Sequence, residues 1–270
     1  TYGEAIHIMR WDALRYPHVT AIVARLSEAY SPATVNVMLS ALRGTLKTAW
    51  TLDLMTAEDY QKAASVKNVK HTTLPTGRDL ANHEVLALLA TCHVNADERG
   101  AKDTRDAAII ALLWATGMRR SELAGLRYQE YDRDTGEIKI MRSKGNKDRA
   151  VYIDNVPRML LERWLAVRGD YDGDLFERIR RGDHVVAGHG ITAQAVYNLL
   201  KHRGAEAGLT DFTPHDFRRT TIGEMLDRGV DMSTVANIVG HASTDTTKRY
   251  DRRGKRALKD AAGKMDLNLL

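Results

Sequence analysis

One segment limits the architecture of this chain more than any other. From about Thr104 to Thr116 the sequence reads TRDAAIIALLWAT. Wound as a helix it is apolar on most sides, and such a helix is stable only when other elements surround it, so it is expected to be central. Gly117 ends it. Around it the patterning is mostly helical, with helices expected from Asn82 through Leu89, over 157–167 and over 192–207. Two strand-like runs, 137–143 and 149–153, flank LysGlyAsnLysAsp with the Gly-Asn pair of a tight hairpin. Residues 169–190 read as loop. The expected class is mainly α with a small antiparallel β-sheet, an α+β fold.

The texture changes near residue 70. Thr1 to Trp11 read as helix with no cap before them, so the chain is expected to begin inside the first helix of a longer domain. A helix over 18–30 follows, and Ser31-Pro32 supply a cap and a first-turn proline for another. That helix sets Val35, Leu39, Leu42, Leu46 and Trp50 along one stripe, while Arg43 and Lys47, a turn apart, lie elsewhere on its surface. The stretch VKNVKHTTLPTGR is polar, basic and broken by Pro75 and Gly77, as interdomain linkers are. The expected division is a helical domain over 1–66, a linker over 67–78 and a second domain over 79–270.

Composition narrows the class. A hydrophobic share of 43% with 28% charged residues describes an ordinary globular chain. No apolar run reaches membrane-spanning length and the start has no secretory pattern, so a soluble, intracellular protein is expected. Forty Lys plus Arg against 35 Asp plus Glu give +5 and a pI near 9.2, a mild invitation to polyanions. The single cysteine, Cys92, excludes an internal disulfide and a cysteine-based metal cluster; at the end of an apolar pattern it is expected to pack in a core. His184 and His189 have no carboxylate or cysteine partner at ligand spacing, so no metal is expected.

The densest chemistry lies in TPHDFRRTTIGEMLDRGVDMSTVANIVGHASTDTTKRY, from Thr213 to Tyr250. Thr213 and Pro214 read as a helix cap and first position, so His215 and Arg218 share a face of the opening turn. Free N–H groups and the positive end of the helix dipole favour an anion there, and Arg218 adds a two-pronged donor matched to phosphate. A helix from about Ser233 closes at Gly240 and leaves His241 on the turn. The residues SerThrAspThr, 243–246, start another helix expected to carry Tyr250 about two turns in. Taken singly, each of these residues is what a helix rim carries; their order and spacing are what single them out.

The runs HDFRRT and VGHASTDTTKRY, with TGMRRSEL at 116–123 and SKGNKDR at 143–149 before them, resemble the motifs of the tyrosine recombinases, the phage-integrase family. The resemblance covers roughly residues 79 to 260, with a weaker echo in the first 70. It implies a site-specific DNA recombinase that cleaves and rejoins DNA through a 3′-phosphotyrosyl intermediate, with no metal, ATP or other cofactor. It also implies a helical core-binding (SAM-like) domain followed by an integrase-type catalytic domain. Arg119 and Arg218 would neutralise the non-bridging oxygens, Tyr250 attack phosphorus, His215 act as base, His241 position or donate, and Lys144 protonate the departing oxygen. Motif position selects Arg119 over Arg120 and Lys144 over Lys147. DNA contacts are expected from Arg43, Lys47, Lys67, Lys70, Arg78, Arg120, Lys147 and Arg219, although Arg43 and Lys47 read equally as a solvated basic face. The implied partners are double-stranded DNA at a specific site and three further copies in a homotetramer, with no membrane, in the cytoplasm of a bacterium or encoded by a phage or mobile element. A narrow stripe of Leu258, Ala261, Ala262 and Met265 is expected to dock on a neighbouring subunit. Two other readings share the constellation: a type IB topoisomerase-like or telomere-resolving enzyme, and a DNA-binding homologue without catalysis.

Overall fold

In a computed structural model, which describes residues 9–70, 78–93, 100–141, 148–209, 212–241, 243–248 and 250–251, the apolar segment is a helix, α5 (Ala101–Thr116), buried from Thr104 to Leu113 except at Arg105. It starts three residues earlier than the pattern predicts because its cap comes from elsewhere in the chain. The Asp183 carboxylate accepts from the N–H groups of Ala101 and Lys102 at 2.5 and 2.8 Å. It ends where expected, at Gly117 in the left-handed conformation with φ 57°.

The chain divides into two compact units, Thr1–Thr76 and Gly77–Leu270, and the division falls inside the stretch 67–78. The first unit holds α1 (Tyr16–Ala29), α2 (Pro32–Thr51) and α3 (Ala57–Ala64). Ser31 caps α2 through its side chain, as its place before Pro32 predicts. Leu39, Leu46 and Ala49 of α2 join Val19, Met55 and Ala63 in a separate small core. Trp50 departs from the expected stripe. It is 38% exposed and stacks on Tyr60 at 5.0 Å, while Ala49, one position earlier, faces the core.

The second unit wraps α5 with α4 (Asn82–Ala90), α6 (Arg120–Ala124), α7 (Asn155–Arg168), α8 (Ala193–Glu206) and α9 (Pro214–Asp227), followed by α10 (Met232–Val239) and α11 (Thr244–Lys248). Helices α7 and α9 pack directly on α5. Strands β1 (Glu137–Ile140) and β2 (Arg149–Tyr152) pair antiparallel, with Ile138 opposite Val151 and both buried. Cys92 is fully buried and burial pushes its thiol up to about 12, so it packs rather than reacts.

The stretch 169–190 is not all loop. It contains a second antiparallel pair, β3 (Glu177–Arg180) and β4 (His184–Gly190). Glu177, completely buried, fixes this hairpin by accepting from Gly188 N at 2.8 Å and from the Tyr171 hydroxyl. The small sheet of the sequence reading is thus two small sheets. Among the described residues no helix is long and apolar enough to cross a membrane.

Candidate active site

The first turn of α9 is held from three directions by one carboxylate. Asp216, 1% exposed, accepts from Thr213 N at 2.6 Å, from Thr213 Oγ1 at 2.9 Å and from Arg78 N at 3.1 Å. Thr220, a turn later, accepts from Leu80 N at 2.8 Å. His215 and Arg218 therefore sit on a turn that is anchored on both sides.

The C-terminal end of α10 then gathers arginines. A helix end leaves its last carbonyls without intrahelical partners and carries partial negative charge, so cations collect there. Three consecutive carbonyls take one arginine each. Ile238 O accepts from Arg149 Nε at 2.8 Å, Val239 O from Arg218 Nη2 at 2.6 Å and Gly240 O from Arg119 Nη2 at 3.4 Å. Arg218 is 4% exposed and its second prong reaches Gly117 O at 2.8 Å, across the turn that ends α5. Burial, then the neighbouring Arg119, pulls Arg218 down to about 10, with Glu122 opposing; it stays charged at neutral pH.

Glu122 organises the other two arginines. Its carboxylate accepts from Arg119 N and Nη1 at 2.8 and 2.9 Å and from Arg149 Nη1 and Nη2 at 3.1 and 2.8 Å. Burial alone pushes its carboxyl up, but the bonds from Arg149 and Arg119 outweigh it and hold Glu122 at about 2.

Gly240, left-handed with φ 66°, ends α10 and turns the chain into His241. Thr247 Oγ1 meets His241 Nδ1 at 2.8 Å and orients the ring, which stacks on Tyr250 at 5.9 Å with 20° between planes. The Tyr250 hydroxyl lies 3.3 Å from His215 Nε2. Burial, followed by the charge of Arg218, holds His215 below the ordinary imidazole range, so at neutral pH it is a free base facing the phenol. Tyr250 lies just past the five-residue α11 rather than two turns inside a helix, and its N–H bonds Thr247 O at 2.9 Å. Arg119, His215, Arg218, His241 and Tyr250 line one open cleft of about 550 Å³.

Such a cleft presents the guanidinium groups of Arg119 and Arg218, the Tyr250 phenol and the neutral His215 imidazole to one open space. The family model of the phage integrase family matches residues 78–256, well over half of the chain. The chain belongs to the phage integrase family. The tyrosine recombinase XerA of Pyrococcus furiosus is 30% identical over 258 residues, 95% of this chain and 80% of that protein. The tyrosine recombinase XerC of Staphylococcus carnosus is 36% identical over 173 residues, 62% of this chain and 54% of that protein. Among solved structures, the Tn1549 transposon integrase in complex with transposon right end DNA matches with a TM-score of 0.71 at 17% identity, covering 94% of this chain and 87% of that one. At that identity the likeness speaks for the integrase fold alone.

Of the positions expected in this integrase's site, Arg119, His215, Arg218, His241 and Tyr250 converge, while Lys144 and Lys147 lie outside the described residues. Three expected DNA contacts are turned to the protein's own groups. Arg43 donates to the carbonyls of Ala64 and Val66 and to Asn68 Oδ1, closing the end of α3 where orphan carbonyls need donors. Arg78 pairs with both oxygens of Glu84 at 2.7 Å, and Arg219 with Asp79 at 3.2 Å. Lys47, Lys67, Lys70 and Arg120 are exposed, and Arg120 lies over the Tyr197 ring at the lip of the cleft. The sequence reading missed Glu122 and Arg149 as parts of the site. Both stand in the quoted motifs, but their pairing spans 27 positions and leaves no local spacing signal.

Proposed function

We propose that this integrase is a site-specific DNA recombinase whose nucleophile is Tyr250, a reading carried by the 3.3 Å approach of the Tyr250 hydroxyl to His215 Nε2 beside Arg119 and Arg218. His215 takes the phenolic proton as Tyr250 oxygen attacks phosphorus. The bond from phosphorus to the 5′ oxygen breaks, leaving a 3′-phosphotyrosyl link and a free 5′ hydroxyl. Charge on the non-bridging oxygens is met by Arg119 and Arg218, already fixed by the α10 carbonyls, so little reorganisation accompanies the step. His241, stacked on the Tyr250 ring, positions the phenol. Lys144 is assigned on motif position to protonate the departing 5′ oxygen. Attack by a different 5′ hydroxyl reverses the chemistry and exchanges strands, with the phosphodiester energy kept in the covalent link.

The substrate is double-stranded DNA at a specific site. Residues 1–66 act as the core-binding domain and 79–270 as the catalytic domain, with Lys47, Lys67, Lys70 and Arg120 toward the phosphates. The working assembly is a homotetramer on paired sites, in the cytoplasm and on the nucleoid. Relatives named as recombinases over most of this length support recombination over DNA relaxation or telomere resolution.

The test uses the full chain and a duplex first selected by binding from a random-sequence library, then nicked near the cleavage position so that the cut strand is lost. Unaltered protein should yield an adduct that survives a denaturing gel. Tyr250→Phe should bind the same duplex equally and yield none; an adduct retained by that variant would refute Tyr250 as nucleophile.

A further inference from the structure

We infer that Arg149 is a positioning residue for strand cleavage, which shares Glu122 with Arg119 so that the group stays net positive and Arg119 stays aimed toward the phosphate. This rests on the reading above that Arg119 meets the scissile phosphate. Arg149 opens β2, its side chain is 9% exposed, and it is absent from the lining of the cleft. It does not touch the reacting atoms; Arg119, with 44% of its side chain exposed, does face that space.

Arg119 has a carboxylate at 2.9 Å, and an isolated Arg119–Glu122 pair would be neutral as a unit. A neutral pair is a poor partner for a phosphate, because Glu122 both competes for the guanidinium donors and repels the anion. Arg149 removes that conflict. Two cations share one anion, and Arg149 donates one bond to each Glu122 oxygen. The trio therefore carries net positive charge, while Glu122 still orients Arg119 through its backbone N–H and Nη1. Four N–H groups of the two arginines converge on this one carboxylate. Arg149 Nε also bonds Ile238 O at 2.8 Å, two residues before Gly240, whose carbonyl takes the other prong of Arg119. Both supports of Arg119 thus lead to Arg149 or to its neighbour on α10.

The test is a mutant cycle read by single-turnover cleavage of the nicked, library-selected duplex. Arg149→Gln should slow cleavage roughly ten-fold or more while leaving DNA affinity unchanged, and the same change made in an Arg119→Ala background should cost under about two-fold. Adding Glu122→Gln to Arg149→Gln returns net positive charge to Arg119 and should recover part of the rate, which a merely structural role would not do. If Arg149→Gln does not fold, Arg149→Met, which keeps the length of the stem but not the charge, takes its place in the Arg119 cycle with the same expected loss of effect. Equal defects with and without Arg119, or no defect at all, would overturn the inference while leaving the recombinase reading intact. Absence of cleavage by the unaltered chain would overturn that reading itself.

Discussion

Tyr250 and His215 meet at 3.3 Å, and the direction in which His215 titrates sets the pH response of the site. Burial first, then Arg218, lowers its pKa, so the neutral form persists to more acid pH than for a free imidazole near 6.5. A base must be neutral to accept the phenolic proton. Cleavage measured with protein below saturation, which reports the free enzyme, should therefore hold as pH falls through about 6.5 and decline only below it. A limb centred above that value would contradict the assignment of His215. Arg119→Ala and Arg218→Ala should each lower the cleavage rate by about 10² or more, the scale for one preorganised charge-stabilising donor. They should differ in stability. Arg218→Ala leaves the buried carbonyls of Gly117 and Val239 without their donor and should cost about 1–3 kcal/mol in a denaturant titration, whereas half-exposed Arg119 should cost less.

Among the elements, α10 and the turn ending α5 decide where the arginines stand. Gly117 has φ 57°, and a Cβ there would lie 3.2 Å from Val239 Cγ1 and 3.4 Å from Thr221. Gly117→Ala should destabilise the fold by about 1–2 kcal/mol from backbone strain alone. It should also slow cleavage, since Gly117 O holds one prong of Arg218; a variant with unchanged melting and rate would contradict this placement. Much of this was legible in the sequence because it is written locally. An all-round apolar run gives α5, Ser31-Pro32 open α2, and Gly117 and Gly240 mark the helix ends that precede Arg119 and His241. What escaped depends on distant partners. The hairpin of β3 and β4 looked like loop because its stability comes from Glu177, buried against Tyr171 and Gly188, and its turn carries Asp183 to α5. Tyr250 reads as helical because TDTTK continues smoothly toward it, yet α11 spans Thr244–Lys248 and Tyr250 stands in a turn. The bonds of Arg43 to carbonyls at the end of α3 likewise join positions about twenty residues apart, which no local spacing reveals.

On the scale of the whole molecule the two units have separate cores, one around Leu39 and Leu46, the other around α5. Residues 77–270 expressed alone should therefore unfold cooperatively and keep Tyr250 reactive toward the nicked duplex. They should bind DNA more weakly, with a shallower dependence on salt, because Lys47, Lys67 and Lys70 are missing and each phosphate contact contributes about 0.9 to the slope of log affinity against log salt. A fragment with the full chain's salt slope would remove the first unit from the DNA interface. Whether the Tyr250 phenol carries the DNA is read by digesting the trapped adduct with trypsin and nuclease and sequencing the nucleotide-bearing peptide by mass spectrometry. Cleavage after Arg249 and Arg252 leaves Tyr250, Asp251 and Arg252. A 3′-phosphoryl nucleotide is expected on Tyr250; a nucleotide on any other residue, or one joined through a 5′ phosphate, would rule Tyr250 out as the nucleophile of a 3′-phosphotyrosyl link.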